Sequence, residues 1–206
     1  VGHAVTAERT PGRPRSQEAD LAILSAALDL LIEHGAAQLS IEQVARRAGV
    51  TRATVYRRFA DKTALLVRTL QWANHDQDPA FTGWRDVEHM LGDWAGYLAV
   101  PRHRRLLRRL YGSADDYPEL VGTYRTVNGG RRAAMVRETL SRARDAGLLP
   151  GDVDVEVVER ILTGAVLYEV GLEADHEDAE AIKAHFIDVL RQMGYRADHI
   201  TFPSAK

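Results

Sequence analysis

The 206-residue chain contains no cysteine. That excludes a disulfide framework, a thiolate zinc site, an iron–sulfur cluster and a cysteine nucleophile. Lysine is nearly missing too: only Lys62, Lys183 and Lys206 occur, so arginine carries almost all positive charge. No apolar run approaches the length of a membrane span. The first fifteen residues lack the apolar stretch of a signal peptide, so a cytoplasmic protein with no membrane partner is expected. The eight histidines have no metal-ligand spacing. His75 with Asp76 and Asp78 reads as a loop cluster, and neither a metal nor a cofactor is expected. The Gly-x-Ser-x-Gly, phosphate-loop and His-Glu-x-x-His signatures are absent, which argues against an enzyme.

What the chain does have is material for a core: 45% apolar residues against 27% charged ones. The formal net charge of -2 argues at first against a nucleic-acid partner, but it is an average. Residues 1–70 carry a net +3 and residues 71–206 a net -5. Such asymmetry predicts a small basic N-terminal unit and a larger acidic body with different partners.

Hydrophobic periodicity predicts helix nearly everywhere, hence an all-α fold of about nine helices. Leu24, Leu28, Leu31 and Ile32 form one stripe of a helix over 16–34 that Gly35 stops. Ser40 and Gln43 make a capping box for a short helix ending at Gly49. Thr51 caps a second short helix through Phe59, and Asp61 caps a longer one through about Ala73. A polar linker is expected at 75–82, then a helix from Trp84 to Pro101. Segment 102–110 segregates its arginines from Leu106, Leu107 and Leu110. Arg102, Arg104, Arg105, Arg108 and Arg109 therefore read as a solvated face. A helix over 116–146 is expected to kink or break at Asn128-Gly129-Gly130, and two helices over 153–174 and 178–194 complete the chain.

The informative stretch is 40–66, SIEQVARRAGVTRATVYRRFADKTALL. A short helix, a turn at Gly49 and a second short helix are the parts of a helix-turn-helix. Ile41, Val44, Ala45 and Ala48 would hold the first helix to the core, and Val55 and Phe59 the second. The opposite arc of the second helix carries Ala53, Thr54, Arg57 and Arg58, with Arg52 in its first turn. Arginine can read guanine bidentately in the major groove, and a small residue can meet a thymine methyl. Arg52, Ala53, Thr54 and Arg57 are thus the candidates for base edges. Ser40, Thr54, Tyr56, Arg58 and Lys62 are the candidates for phosphates. On these residues alone, a solvated basic face on a helical bundle stays open as the alternative.

The pattern A-x-x-A-G-V-T-x-x-T-x-Y-x-x-F-x-x-K-x-x-L, preceded by an amphipathic helix, resembles the N-terminal domain of the TetR family of transcriptional regulators. The likeness is specific over about residues 16–66 and looser beyond residue 70. It implies a homodimer on near-palindromic operator DNA, with a divergent C-terminal half for dimerisation and ligand sensing. Carried over by position, it places Arg52, Ala53 and Thr54 at base edges and Thr54, Tyr56, Arg58 and Lys62 on phosphates. Arg57 departs from the aromatic or histidine common there, so a base and a phosphate contact are both open to it. Residues 1–15 resemble the basic arm ahead of some such domains, although a solubilising tail fits their composition equally.

The expected organisation is therefore an arm (1–15), a DNA-binding domain (16–66), a ligand-binding and dimerisation domain (67–196) and a tail (197–206). For the dimer interface the stripes of the last two helices offer Ile161, Leu162, Ala165, Val166, Ile182, Phe186, Val189, Leu190 and Met193, with an intramolecular core as the alternative. For a pocket holding a small apolar or aromatic effector, the candidates are Trp84, Met90, Trp94, Tyr97, Tyr124, Met135 and Tyr168. Asn128, Arg125 and Glu169 are possible polar anchors in that pocket. An all-α enzyme with an unrecognised site, or a dimeric interaction module that does not bind DNA, is the rival class.

Overall fold

A computed structural model of the chain describes residues 14–75, 83–126, 130–172 and 178–196. Most of the arm, most of the 75–82 linker, Asn128, His176 and the 197–206 tail lie outside the described residues. Among the described residues the fold is all helix: ten α-helices and no strand. The count exceeds the expected nine because the helix expected over 116–146 is two helices, with residues 127–129 between them outside the described residues.

Helix α1 (Pro14–Gln38) is interrupted where expected, at Gly35, whose φ of +81° is a left-handed conformation that glycine adopts without a Cβ clash. Helices α2 (Ile41–Arg47), α3 (Arg52–Tyr56) and α4 (Lys62–His75) follow. Their starts are fixed locally. The Ser40 hydroxyl accepts from the Gln43 amide at 3.2 Å, while the Gln43 side chain accepts from the Ser40 amide at 2.8 Å. Thr51 Oγ1 accepts from the Thr54 amide at 3.1 Å, and Asp61 Oδ1 from the Ala64 amide at 2.8 Å. Each such cap stabilises its helix by about 1 kcal/mol.

The body comprises α5 (Val87–Leu98), α6 (Pro101–Tyr111), α7 (Pro118–Tyr124), α8 (Gly130–Asp145), α9 (Val155–Gly171) and α10 (Ala179–Gln192). Asp86, Asp154 and Asp178 cap α5, α9 and α10. None of the helices among the described residues is long and apolar enough to cross a membrane.

Two apolar cores result. One gathers Ile23, Leu31, Val44, Val55, Leu65 and Leu70 from α1–α4. The other gathers Met90, Trp94, Leu140, Leu162, Ile182 and Phe186 from the body. The domain limit drawn at 66/67 falls inside α4, whose Leu70 packs in the first core. Helix α6 serves both cores. Its Leu106 and Leu110 enter the first and its Leu107 the second.

This shared position corrects the reading of the α6 arginines as a solvated face for Arg104, which is buried, and for Arg108, which is half-buried. Arg104 is fully buried and pairs with the equally buried Glu169 of α9 at 3.0 Å, while its second terminal nitrogen donates to the Glu169 carbonyl at 2.8 Å. Arg108 donates to the Val170 carbonyl. Toward α1, Arg102 pairs with Asp29 at 2.5 Å and Arg109 donates to the Glu33 carbonyl at 2.8 Å. Arg102, Arg105 and Arg109 are exposed, as expected, the first and last of them while bonded to α1. The arginine row is a two-sided fastening between the N-terminal domain and α9.

Candidate nucleic-acid interface

Helix α3 is held from behind. Val55 is fully buried in the first core and Phe59 packs against it. Residues 52, 53, 56 and 57 then share the opposite side of this short helix, and Arg52, Ala53, Tyr56 and Arg57 are all exposed there. The Arg52 side chain is 60% exposed, with Glu42 3.8 Å away, so its guanidinium can leave that loose ion pair for a partner in solvent. Tyr56 is 49% exposed. Thr54 sits at the edge of this face, its hydroxyl 2.9 Å from that of Thr51. Ser40 is also exposed, beside the amide donors at the start of α2.

Two expected phosphate ligands are placed otherwise. The Arg58 side chain is only 16% exposed and bonds Asp20 of α1, with a further bond to the Thr54 carbonyl at 3.1 Å. Lys62 donates to the Ala36 carbonyl at 3.0 Å and stands 4.9 Å from the centre of the Tyr117 ring. Both charges fasten α3 and α4 to α1 rather than projecting from the surface. Lys62 meets the end of α1, whose carbonyls lack helical partners and favour a cation, whereas Arg58 is drawn in by the Asp20 carboxylate. Arg47 is likewise engaged, its two terminal nitrogens each 2.8 Å from a Glu33 oxygen. That pairing holds the Glu33 carboxyl below the usual carboxylate range. Arg46, not among the expected contacts, is exposed in the last turn of α2. Its signal was only its place in the last turn of a helix that crosses the backbone in helix-turn-helix folds.

The candidate effector residues do not converge on one cavity. Trp84, Met90 and Trp94 are buried in the second core, where Trp94 makes edge-to-face contacts with Trp84 at 6.3 Å and Phe186 at 6.2 Å. Trp84 and Met135 border an open cleft with Arg85, His89 and Arg142. Tyr168 is exposed and stacks on His185. Arg125 is exposed at the end of α7, and Glu169 is spent on Arg104. Tyr97 and Tyr124 do come together, on a cavity of about 110 Å³ where α1 and α4 meet α5, α6 and α7.

The interface candidates divide as well. Leu162, Ile182, Phe186 and Leu190 are fully or almost fully buried within the second core, so they face their own chain and not a partner. Ala165, Val166, Val189 and Met193 are partly buried against that core, while Ile161 is exposed. The exposed apolar residues of α9 include Val157, Ile161 and Tyr168, and Leu172 at its end is 76% exposed. The signal was present as a second apolar stripe at spacings of four, seven and four, flanking the inward one.

Comparison with known proteins bears on both halves. The profile for bacterial regulatory proteins of the tetR family matches residues 23–69, and that for the tetracyclin repressor-like C-terminal domain matches residues 82–189. The uncharacterized HTH-type transcriptional regulator YdeS of Bacillus subtilis (strain 168) is 28% identical over 167 residues, which are 80% of this chain and 84% of YdeS. Among solved structures, MexZ, a key repressor responsible for antibiotic resistance in Pseudomonas aeruginosa, superposes with a TM-score of 0.65. It is 20% identical, over 88% of this chain and 97% of MexZ. A protein from Saccharomonospora viridis assigned as a transcriptional regulator, solved in complex with choline, gives a TM-score of 0.68 at 17% identity, over 85% of this chain and 96% of that one. The relatives are regulators and not enzymes. With both halves matched, the chain belongs to the TetR family of helix-turn-helix transcriptional regulators.

Proposed function

We propose that the protein is a homodimeric repressor that binds a near-palindromic operator and is released from it by a small apolar or aromatic ligand. The observation that carries this reading is the exposed α3 face of Arg52, Ala53, Tyr56 and Arg57, set on a helix whose back is anchored by Val55 and Arg58. A rigid short helix can bring a guanidinium to guanine O6 and N7 without first ordering the backbone. Arg52 and Arg57 read bases, Ala53 and Thr54 meet base edges, and Ser40, Thr54, Tyr56 and Arg46 position the domain on phosphates.

Dimerisation would use the outer apolar stripe of α9, because Val157, Ile161 and Leu172 are apolar side chains exposed on one stripe of the helix. Two α3 helices would then enter successive major grooves about 34–36 Å apart. Repression is supported by relatives named as repressors, MexZ among them and the probable acrEF/envCD operon repressor of Escherichia coli, 25% identical over 159 residues. Effector control is supported by the choline complex of the Saccharomonospora viridis protein, which shows that this fold can house a small molecule.

Selection of DNA sequences by the purified protein tests the reading. Enrichment of an inverted repeat with half-sites about one helical turn apart is expected. Enrichment of no motif, or of a single half-site bound by a monomer, overturns it.

A further inference from the structure

The cavity at the domain junction has two owners. Leu28 and Ile32 of α1 and Leu70 of α4 line it from the N-terminal side. Tyr97 of α5 and Arg102 and His103 of α6 line it from the body. It is apolar on one wall and carries a guanidinium on the other, and no carboxylate lines it among the described residues. His103 stacks on the Tyr97 ring at 4.0 Å and 12°, and its Nδ1 lies 3.0 Å from the Tyr97 carbonyl. That carbonyl can only accept, so Nδ1 carries a proton and the ring is locked flat against the tyrosine. The wall is thus a preformed aromatic surface beside a guanidinium.

Arg102 is also the pin between the domains. It reaches Asp29 of α1 through one terminal nitrogen at 2.5 Å, and a guanidinium has five N–H donors. We propose that this junction is an effector site for a small aromatic carboxylate, whose ring inserts between α1 and the Tyr97–His103 stack and whose carboxylate takes Arg102 from Asp29. The proposal rests on the repressor reading above and supplies the effector's chemical class and place.

The size of the cavity makes such a ligand a wedge. At about 110 Å³ it is smaller than the roughly 150 Å³ void that accepts benzene in an engineered core. A ring bearing a carboxylate overfills this space, and on this proposal α1 and α4 part from α6 to seat it. The ligand binds the parted arrangement better than the closed one, and that difference in affinity is what drives the change. Loss of the Arg102–Asp29 bond loosens the same seam. If the closed seam sets the spacing of the two α3 helices, ligand and operator oppose each other by one reciprocal factor.

Sodium benzoate is the probe, with benzyl alcohol as its neutral and benzylamine as its cationic counterpart, each titrated calorimetrically into the full chain at constant ionic strength. Arg102→Gln removes the guanidinium at a half-exposed position, with its fold checked by circular dichroism, and Ala73→Leu fills the cavity from α4. Benzoate should bind more tightly than either counterpart. Its affinity should fall about tenfold or more in Arg102→Gln, the loss expected for one charged hydrogen-bond partner. Ala73→Leu should weaken it further, and benzoate should reduce operator affinity of the wild type. Equal benzoate binding by wild type and Arg102→Gln overturns the proposal, as does a counterpart that matches benzoate, or no benzoate binding at millimolar concentration. Benzoate that binds without weakening operator affinity overturns the effector role. Because benzoate binding is read without DNA, these results stand apart from the selection experiment that tests the repressor reading.

Discussion

Arg104 and Glu169, 65 residues apart in the chain, form a fully buried ion pair at 3.0 Å that ties α6 to α9. One partner lies on the helix that carries α1, the other on the helix with the exposed apolar stripe. Removing water from two charges is costly, and the close geometry and the added bond to the Glu169 carbonyl help to offset that cost. Cutting one partner is worse than removing both. Arg104→Ala should destabilise the protein by about 3–5 kcal/mol. Arg104→Met combined with Glu169→Leu should cost much less, as read from urea unfolding midpoints. Equal losses in the two variants would mean that the pair contributes by packing alone.

Arg52 and Arg58 are six residues apart and should behave as different kinds of residue. Arg52→Ala should weaken operator binding by about 1–3 kcal/mol and relax preference at one base position, with thermal stability unchanged. Arg58→Ala should lower stability, because Asp20 loses a largely buried partner, and should leave the salt dependence of DNA binding nearly unaltered. Comparing the slope of log affinity against log salt in the two variants decides this. A slope reduced by about one unit in Arg58→Ala would return that arginine to the phosphate contacts.

The α9 stripes predict a contrast between neighbouring positions. Ile161→Glu should leave the monomer folded and break the proposed dimer, because that side chain faces solvent. Leu162→Glu should unfold the body, because a charge would be placed in the second core. Sedimentation velocity with circular dichroism separates the outcomes. A dimer that survives Ile161→Glu places the interface elsewhere.

Gly35 packs its Cα beside Arg109, where an added Cβ would stand 3.3 Å from that side chain's Cδ. With φ at +81°, Gly35→Ala should cost about 1–2 kcal/mol from backbone strain. It should also weaken the seam between α1 and α6. A lowered unfolding midpoint together with faster proteolysis at that seam is expected.

Tyr195 is buried in the second core, and burial, with the Glu88 and Asp86 carboxylates nearby, pushes its phenol up to about 12. The unfolded chain should titrate near 10. The neutral phenol thus contributes stability that is complete below about pH 10 and is lost as pH rises toward 12. Tyr195→Phe should remove that part of the alkaline decline, measured as the difference in denaturant midpoint between pH 9 and pH 11. An identical decline in the variant would assign it to other groups.

Much of the N-terminal domain was legible because its determinants are local. Ser40, Thr51 and Asp61 cap within three residues, and Gly35 stops α1 through its own dihedral angle. The exposure of Arg52, Ala53, Tyr56 and Arg57 follows from Val55 being the buried residue of a single short turn. The stripes of α9 and α10 were legible as apolar but not as to what covers them. A helical stripe reports that something lies over it, and whether that is another helix of the same chain or a partner is a long-range fact. Hence Leu162 and Phe186, expected at an interface, lie in the core.

The arginine row of α6 marks the limit most plainly. By itself the sequence determined a helix from Pro101 with leucines on one arc and arginines on the other, since both follow from spacing and charge within eleven residues. It could not determine where the arginines end. Only the tertiary structure decided that α6 lies between two cores, so that Arg104 meets Glu169 and Arg102 meets Asp29. A charge is normally kept in water by its desolvation cost. A carboxylate supplied by a distant helix reverses that balance, and nothing near Arg104 in the chain encodes it.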